Sequence, residues 1–147
     1  MSRRQSRKSR NQNFIWVIAL IVIVVGVILY LKRSQRPLAS GPLPSAQLRA
    51  ALDNHRPTLA FFHSNNCHQC LVMVETLAQV WPEFADRLTL VDVDVYDERN
   101  APLLQSVRLQ YIPTLIFYDR TGQAETYVGV MEAEQLRQRL KALDSGG

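Results

Sequence analysis

The chain has 147 residues, room for one domain of about 100–150 residues and a short additional segment. An apolar content of 47% excludes a wholly disordered or fibrous chain. Residues 1–36 hold eight of the seventeen basic residues and no acidic one, so the remainder carries a net −4 and lacks the basic face that a nucleic-acid-binding domain needs.

Residues 1–13 form a basic segment, which the positive-inside tendency places in the cytoplasm. Residues 14–31, FIWVIALIVIVVGVILYL, run for eighteen positions without a charge. As a helix at 1.5 Å per residue they span about 27 Å, close to the roughly 30 Å hydrocarbon core of a bilayer. Trp16 and Tyr30 stand near the two ends, where amphipathic rings favour the interface. The apolar run exceeds the about 7–15 residues of a signal peptide, so an uncleaved single-pass anchor is preferred to a cleaved signal. Five bases precede the span and three follow it, which predicts an extracytoplasmic location for everything beyond it. Residues 32–44, with Pro37, Gly41, Pro42 and Pro44, read as a semi-extended linker.

A domain is predicted over residues 45–147. Ser45 caps a short helix carrying Leu48, Ala51 and Leu52. Thr58–His63 reads as a buried strand. Asn65 and Asn66 offer caps for a long helix with Leu71, Val72, Val74, Leu77, Ala78 and Trp81 at helical spacing, bent or restarted at Pro82. Leu88–Val95 alternates as a strand with one polar face, Asn100–Arg108 is helical, and Thr114–Tyr118 is a further strand. The turn Arg120–Gln123 leads into a hairpin strand over Glu125–Val130, and Glu132–Leu143 closes the chain as an amphipathic helix. The order α-β-α-β-α-β-β-α predicts an α/β fold of three layers, with helices on both faces of one central mixed sheet.

The only two cysteines, too few for a disulfide scaffold, form Cys67-His68-Gln69-Cys70 at a strand-to-helix junction. Near the first turn of a helix, unpaired backbone N–H groups and the positive end of the helix dipole favour a thiolate, so Cys67 is the candidate nucleophile. Cys70, three residues on, lies on the same helical face and can resolve a mixed disulfide formed at Cys67. Asn66, His68 and Gln69 are the candidate tuning residues, and a protonated His68 adds to thiolate stabilisation. The alternatives are a metal carrier, with His63 or His68 joining the cysteines, and a redox-inactive chaperone or assembly factor.

With Tyr111-Ile112-Pro113-Thr114 before a strand and Val128-Gly129 before the last helix, the strand–Cys67-x-x-Cys70–helix unit resembles the thioredoxin family over residues 45–147. The resemblance implies a thioredoxin-like sheet, a cis Pro113 facing the disulfide, and a substrate groove of Ile112, Pro113, Val128 and Gly129. It implies thiol–disulfide exchange with protein thiols and disulfides, no organic cofactor, no bound metal and, with the anchor, a membrane electron donor or acceptor. Several positions depart from the family. Asn66 replaces its Trp, and His68-Gln69 replaces its Gly-Pro. Phe61 stands at its buried acid, Asp92 at its lysine and Glu75 at its helix-kinking proline. Proton transfer from the second cysteine then falls to Asp92 or to water.

Overall fold

The computed structural model describes Ile21, Val25 and residues 42–146. Of the expected membrane span over residues 14–31, only Ile21 and Val25 are among these, and both are helical. The rest of the span, the basic segment 1–13 and linker residues 32–41 lie outside the described residues. Among the described residues no helix is long and apolar enough to cross a membrane.

The domain begins with helix α1 (Pro44–Asp53), one residue earlier than expected. Ser45 is not its cap. Leu43 holds that position without a side-chain bond, and Pro44, whose fixed φ and missing N–H suit a first helical turn, starts the helix. Strand β1 (Thr58–His63) is buried throughout. Helix α2 (His68–Val80) passes into a 3-10 turn at Trp81–Glu83, with Pro82 in it. Strand β2 (Thr89–Asp94) follows, then a 3-10 turn (Glu98–Asn100) and the short helix α3 (Ala101–Ser106). Strands β3 (Thr114–Tyr118) and β4 (Ala124–Val128) form a hairpin, and helix α4 (Ala133–Ser145) ends the domain.

The four strands lie in the order β2-β1-β3-β4. β1 pairs parallel with β2 and antiparallel with β3, and β3 pairs antiparallel with β4. The sheet is therefore mixed. Side chains alternate across a strand, so β1 feeds two cores. Leu59 and Phe61 pack with Met73, Leu77 and Val80 of α2 and with Leu136 and Leu140 of α4. Ala60 and Phe62 pack with Leu48 of α1 and Leu103 of α3. The expected three layers are present.

The buried stripe of helix α2 only partly follows the apolar positions noted at helical spacing. Leu71, Val72 and Val74 are exposed, whereas Cys70, Met73, Leu77 and Val80 are buried. The stretch Cys70–Val74 is apolar all round, so hydrophobicity does not identify its inward side. Packing against β1 selects the stripe at i, i+3, i+7 and i+10.

Candidate active site

Three chain-distant segments meet at one end of the sheet because of the strand directions. The C-terminal end of β1 leads to the cysteines. Antiparallel pairing brings the start of β3, Pro113-Thr114, beside it through the Phe62–Thr114 register. The next antiparallel pair places Val128 opposite Thr114, and the Gly129 N–H donates to the Pro113 carbonyl at 2.8 Å. The end of β2 is joined there too, the Val95 N–H donating to the His63 carbonyl at 2.9 Å.

The turn after β1 is held locally. The Ser64 hydroxyl accepts from the Asn66 N–H at 3.1 Å, and the Ser64 carbonyl accepts from the Cys67 N–H at 3.3 Å. Asn65 and Asn66 occupy this turn and do not cap α2. The cap is Cys67 itself, extended at φ −107° and ψ 115°, with its Sγ accepting from the Cys70 N–H at 3.3 Å. A sulfur takes the role usually filled by a Ser, Thr, Asp or Asn oxygen. Cys67 thus sits just ahead of the first helical turn, where orphan N–H groups converge.

This placement makes the two thiols unequal. The Cys70 side-chain hydrogen bond, assisted by the backbone N–H groups of Cys70 and Gln69, holds the Cys67 thiol below the ordinary cysteine range despite some desolvation. Cys70 is fully buried, and burial, followed by its hydrogen bond to Cys67, pushes its thiol up to about 11. Thiolates, not thiols, are the nucleophiles of disulfide exchange. Cys67, partly accessible, is arranged to attack, and Cys70 holds its proton behind it.

His68 and Gln69 are exposed in the first turn of α2, and Asn66 is exposed ahead of it. Gln69 acts through its backbone. The Ile112–Pro113 peptide bond is cis. Pro113 is buried, Ile112 is half-buried and Val128 is exposed. Gly129 has φ +103°, a conformation that disfavours side chains, and a Cβ there would meet no atom within 4 Å. Its glycine answers to backbone conformation, and the space above it is open.

Two residues had gone without a redox assignment. Ser64 organises the turn, and its backbone favours the Cys70 thiolate, partly offsetting burial. His63 is buried and its Nε2 lies 2.6 Å from Asp92 Oδ1. Alternation along β1 puts His63 on the α2 face, but its contact with Asp92 depends on strand register. Among the described residues no group of three or more His, Cys, Asp or Glu side chains converges to hold a metal ion.

Residues 44–144 match the family described as thioredoxin-like domain. The chain is 26% identical over 149 residues to the thiol:disulfide interchange protein TxlA of Synechococcus elongatus, covering 97% of this chain and 76% of that one. It is 26% identical over 139 residues to the chloroplastic thioredoxin-like protein HCF164 of Arabidopsis thaliana, covering 94% of this chain and 52% of that protein. The crystal structure of chloroplastic thioredoxin z superposes with a TM-score of 0.60 at 25% identity, covering 69% of this chain and 90% of its own.

Proposed function

Because the chain belongs to the family of thioredoxin-like domains, we propose that this thiol–disulfide oxidoreductase is tethered to a membrane and works outside the cytoplasm. The observation that carries the redox chemistry is the inequality of the two thiols: an accessible Cys67 with a lowered pKa and a buried Cys70 with a raised one. The Cys67 thiolate attacks a substrate disulfide, forming a mixed disulfide and releasing one substrate thiolate. Cys70 then gives up its proton and attacks the Cys67 sulfur, so the second substrate thiolate leaves and a Cys67–Cys70 disulfide remains. The reverse sequence donates a disulfide.

Ile112, Pro113, Val128 and Gly129 hold the substrate segment in this reading. They lie beside the cysteines at one end of the sheet, and the open space over Gly129 admits an extended chain. Residues 14–31 supply the tether and the arginine-rich start its orientation. A membrane electron donor or acceptor resets the dithiol.

The redox part is tested by equilibrating the protein in graded thiol buffers and counting free thiols by alkylation and mass. A single two-electron transition at Cys67 and Cys70 is expected. Its potential assigns direction, near about −270 mV for a reductant and about −120 mV for a strong oxidant. Absence of a disulfide at any poise would overturn the reading. For the tether, the full chain should stay with membranes after alkaline carbonate washing. Cys67 in cells should react with a membrane-impermeant maleimide, and protection until the membrane is breached would reverse the orientation.

A further inference from the structure

The exchange chemistry leaves one proton without a destination. Cys70 must lose it before attacking the mixed disulfide, yet Cys70 is fully buried. Phe61, on the neighbouring strand face, cannot accept it. Beyond Asp92 and water, the fold holds one more base at this end of the sheet.

The end of β1 supplies one. His63 shares with Leu59 and Phe61 the sheet face covered by α2, since side chains alternate along a strand. The next residue, Ser64, has a backbone group that favours the Cys70 thiolate, so β1 ends against the start of the helix that carries Cys70. The imidazole is 7% exposed and stacks on Phe61, with ring centroids 4.7 Å apart and planes 7° from parallel. Its Nε2 lies 2.6 Å from Asp92 Oδ1. An ionised carboxylate only accepts, so Nε2 carries the hydrogen, and in the neutral imidazole Nδ1 is then the acceptor. That Nδ1 is buried and has no hydrogen-bond partner. A buried acceptor without a donor is costly to keep, and the buried Cys70 thiol at this end of the sheet has a proton to surrender.

The charged surroundings are simple. A cleft of about 350 Å³ runs beside His63, lined by Val74, Leu77, Ala78 and Trp81 from the helical side and Leu90 and Asp92 from β2. Asp92 is the one charged group among its lining residues. Cys70 stands one helical turn before Val74 on α2, and Cys67 lies in the connecting turn.

We propose that His63 is the proton acceptor for Cys70 and that Asp92 is the positioning residue that fixes its tautomer. This deepens the oxidoreductase reading and rests on it. As the Cys70 sulfur attacks the Cys67 sulfur, the Cys70 proton passes to Nδ1, directly or through one water. The Cys67–Cys70 bond forms and the Cys67–substrate bond breaks. The leaving substrate sulfur takes the bonding pair and is then protonated, from the imidazolium or from solvent, which returns His63 to neutrality. The substrate disulfide is reduced by two electrons and the dithiol is oxidised by two. In the opposite direction His63 returns the proton to Cys70.

The test uses the reduced full chain in detergent and an aromatic disulfide reporter that releases one coloured thiol at each step. The first phase reads attack by Cys67 and the second reads attack by Cys70. His63→Phe should leave the first phase within about twofold and slow the second at least about tenfold at neutral pH. Its second phase should rise in proportion to hydroxide, more steeply than in the unaltered protein. Asp92→Ala should slow the second phase alone, by a smaller factor. A second phase within about twofold of the unaltered protein, or equal slowing of both phases, would overturn the proposal. If His63→Phe loses its cooperative thermal transition, Asp92→Ala is judged by the same criterion. If the unaltered protein takes up no reporter at Cys67, the oxidoreductase reading itself falls and the relay with it.

Discussion

The two ends of the sheet present different surfaces. At the end away from the cysteines, polar bonds tie the loops. Asp119 Oδ1 accepts from the Thr121 N–H, the Thr121 hydroxyl and the Gln123 N–H at 2.7–2.9 Å, closing the β3–β4 turn. Arg87 pairs with Asp144 at 2.6 Å, and Arg120 donates to the Asp144 carbonyl at 3.0 Å, joining that end to α4. At the cysteine end, Leu71, Tyr96, Tyr111 and Val128 are exposed. Side-chain hydrogen bonds hold the loops here as well, the Thr114 hydroxyl donating to the Tyr111 carbonyl at 2.7 Å and Asn100 Nδ2 to the Asp94 carbonyl at 2.9 Å. Both ends tie their loops with polar groups. The cysteine end also leaves apolar side chains and a thiol open to a partner chain.

The division can be broken most sharply at Cys67. Cys67→Ser should lower catalysed reduction of a protein disulfide at least about a thousandfold, because a serine hydroxyl is not an exchange nucleophile. Its thermal midpoint should barely move, since Cys67 is not a core residue. A retained rate would remove Cys67 from the chemistry.

Changes at Cys70 separate attack from resolution. Cys70→Ser should cut turnover at least about a hundredfold while mixed disulfides at Cys67 accumulate, visible as added mass. Cys70→Ala goes further. It deletes the side-chain hydrogen bond that contributes most to lowering the Cys67 pKa, so the alkylation midpoint of Cys67 should move up. The serine variant, which keeps a hydroxyl donor, should move it less.

The pH dependence of alkylation sharpens the same contrast within four residues. Cys67 has a lowered pKa, so its thiolate persists as pH falls below the ordinary thiol range and is lost only at the lower value. Cys70 is raised, so in the reduced protein it should resist alkylation until pH approaches about 11. Equal reactivity of the two near neutral pH would contradict the burial of Cys70.

The smallest effect belongs to the opposite end. Asp119→Ala removes three hydrogen bonds from an exposed turn and should lower the denaturant midpoint only slightly, with exchange rates unchanged. A loss of exchange activity would show that the two ends are coupled.

Much of this was legible in the order of residues. The Cys-x-x-Cys spacing, the strand before it, the hairpin around Gly122 and the amphipathic last helix each arise within a few consecutive positions. The inward face of α2 was not legible, because Cys70–Val74 is apolar on every side. The cap of α2 is not legible for a related reason. Asn65 and Asn66 have the usual capping chemistry, but the Ser64 hydroxyl and carbonyl hold that stretch in a turn and pass the cap to Cys67.

Residue order is enough for the local chemistry: two thiols three residues apart at a helix start, and a proline and a glycine at strand ends. Which groups share a site depends on how the strands pair. One antiparallel step brings Pro113 to the end of β1, another brings Gly129 to Pro113, and parallel register sets Asp92 opposite Phe61, where it reaches His63 diagonally. The proton affinities of the cysteines follow the same division. Their spacing is local, but the burial that raises Cys70 is set by everything packed around it, which no short stretch of chain contains.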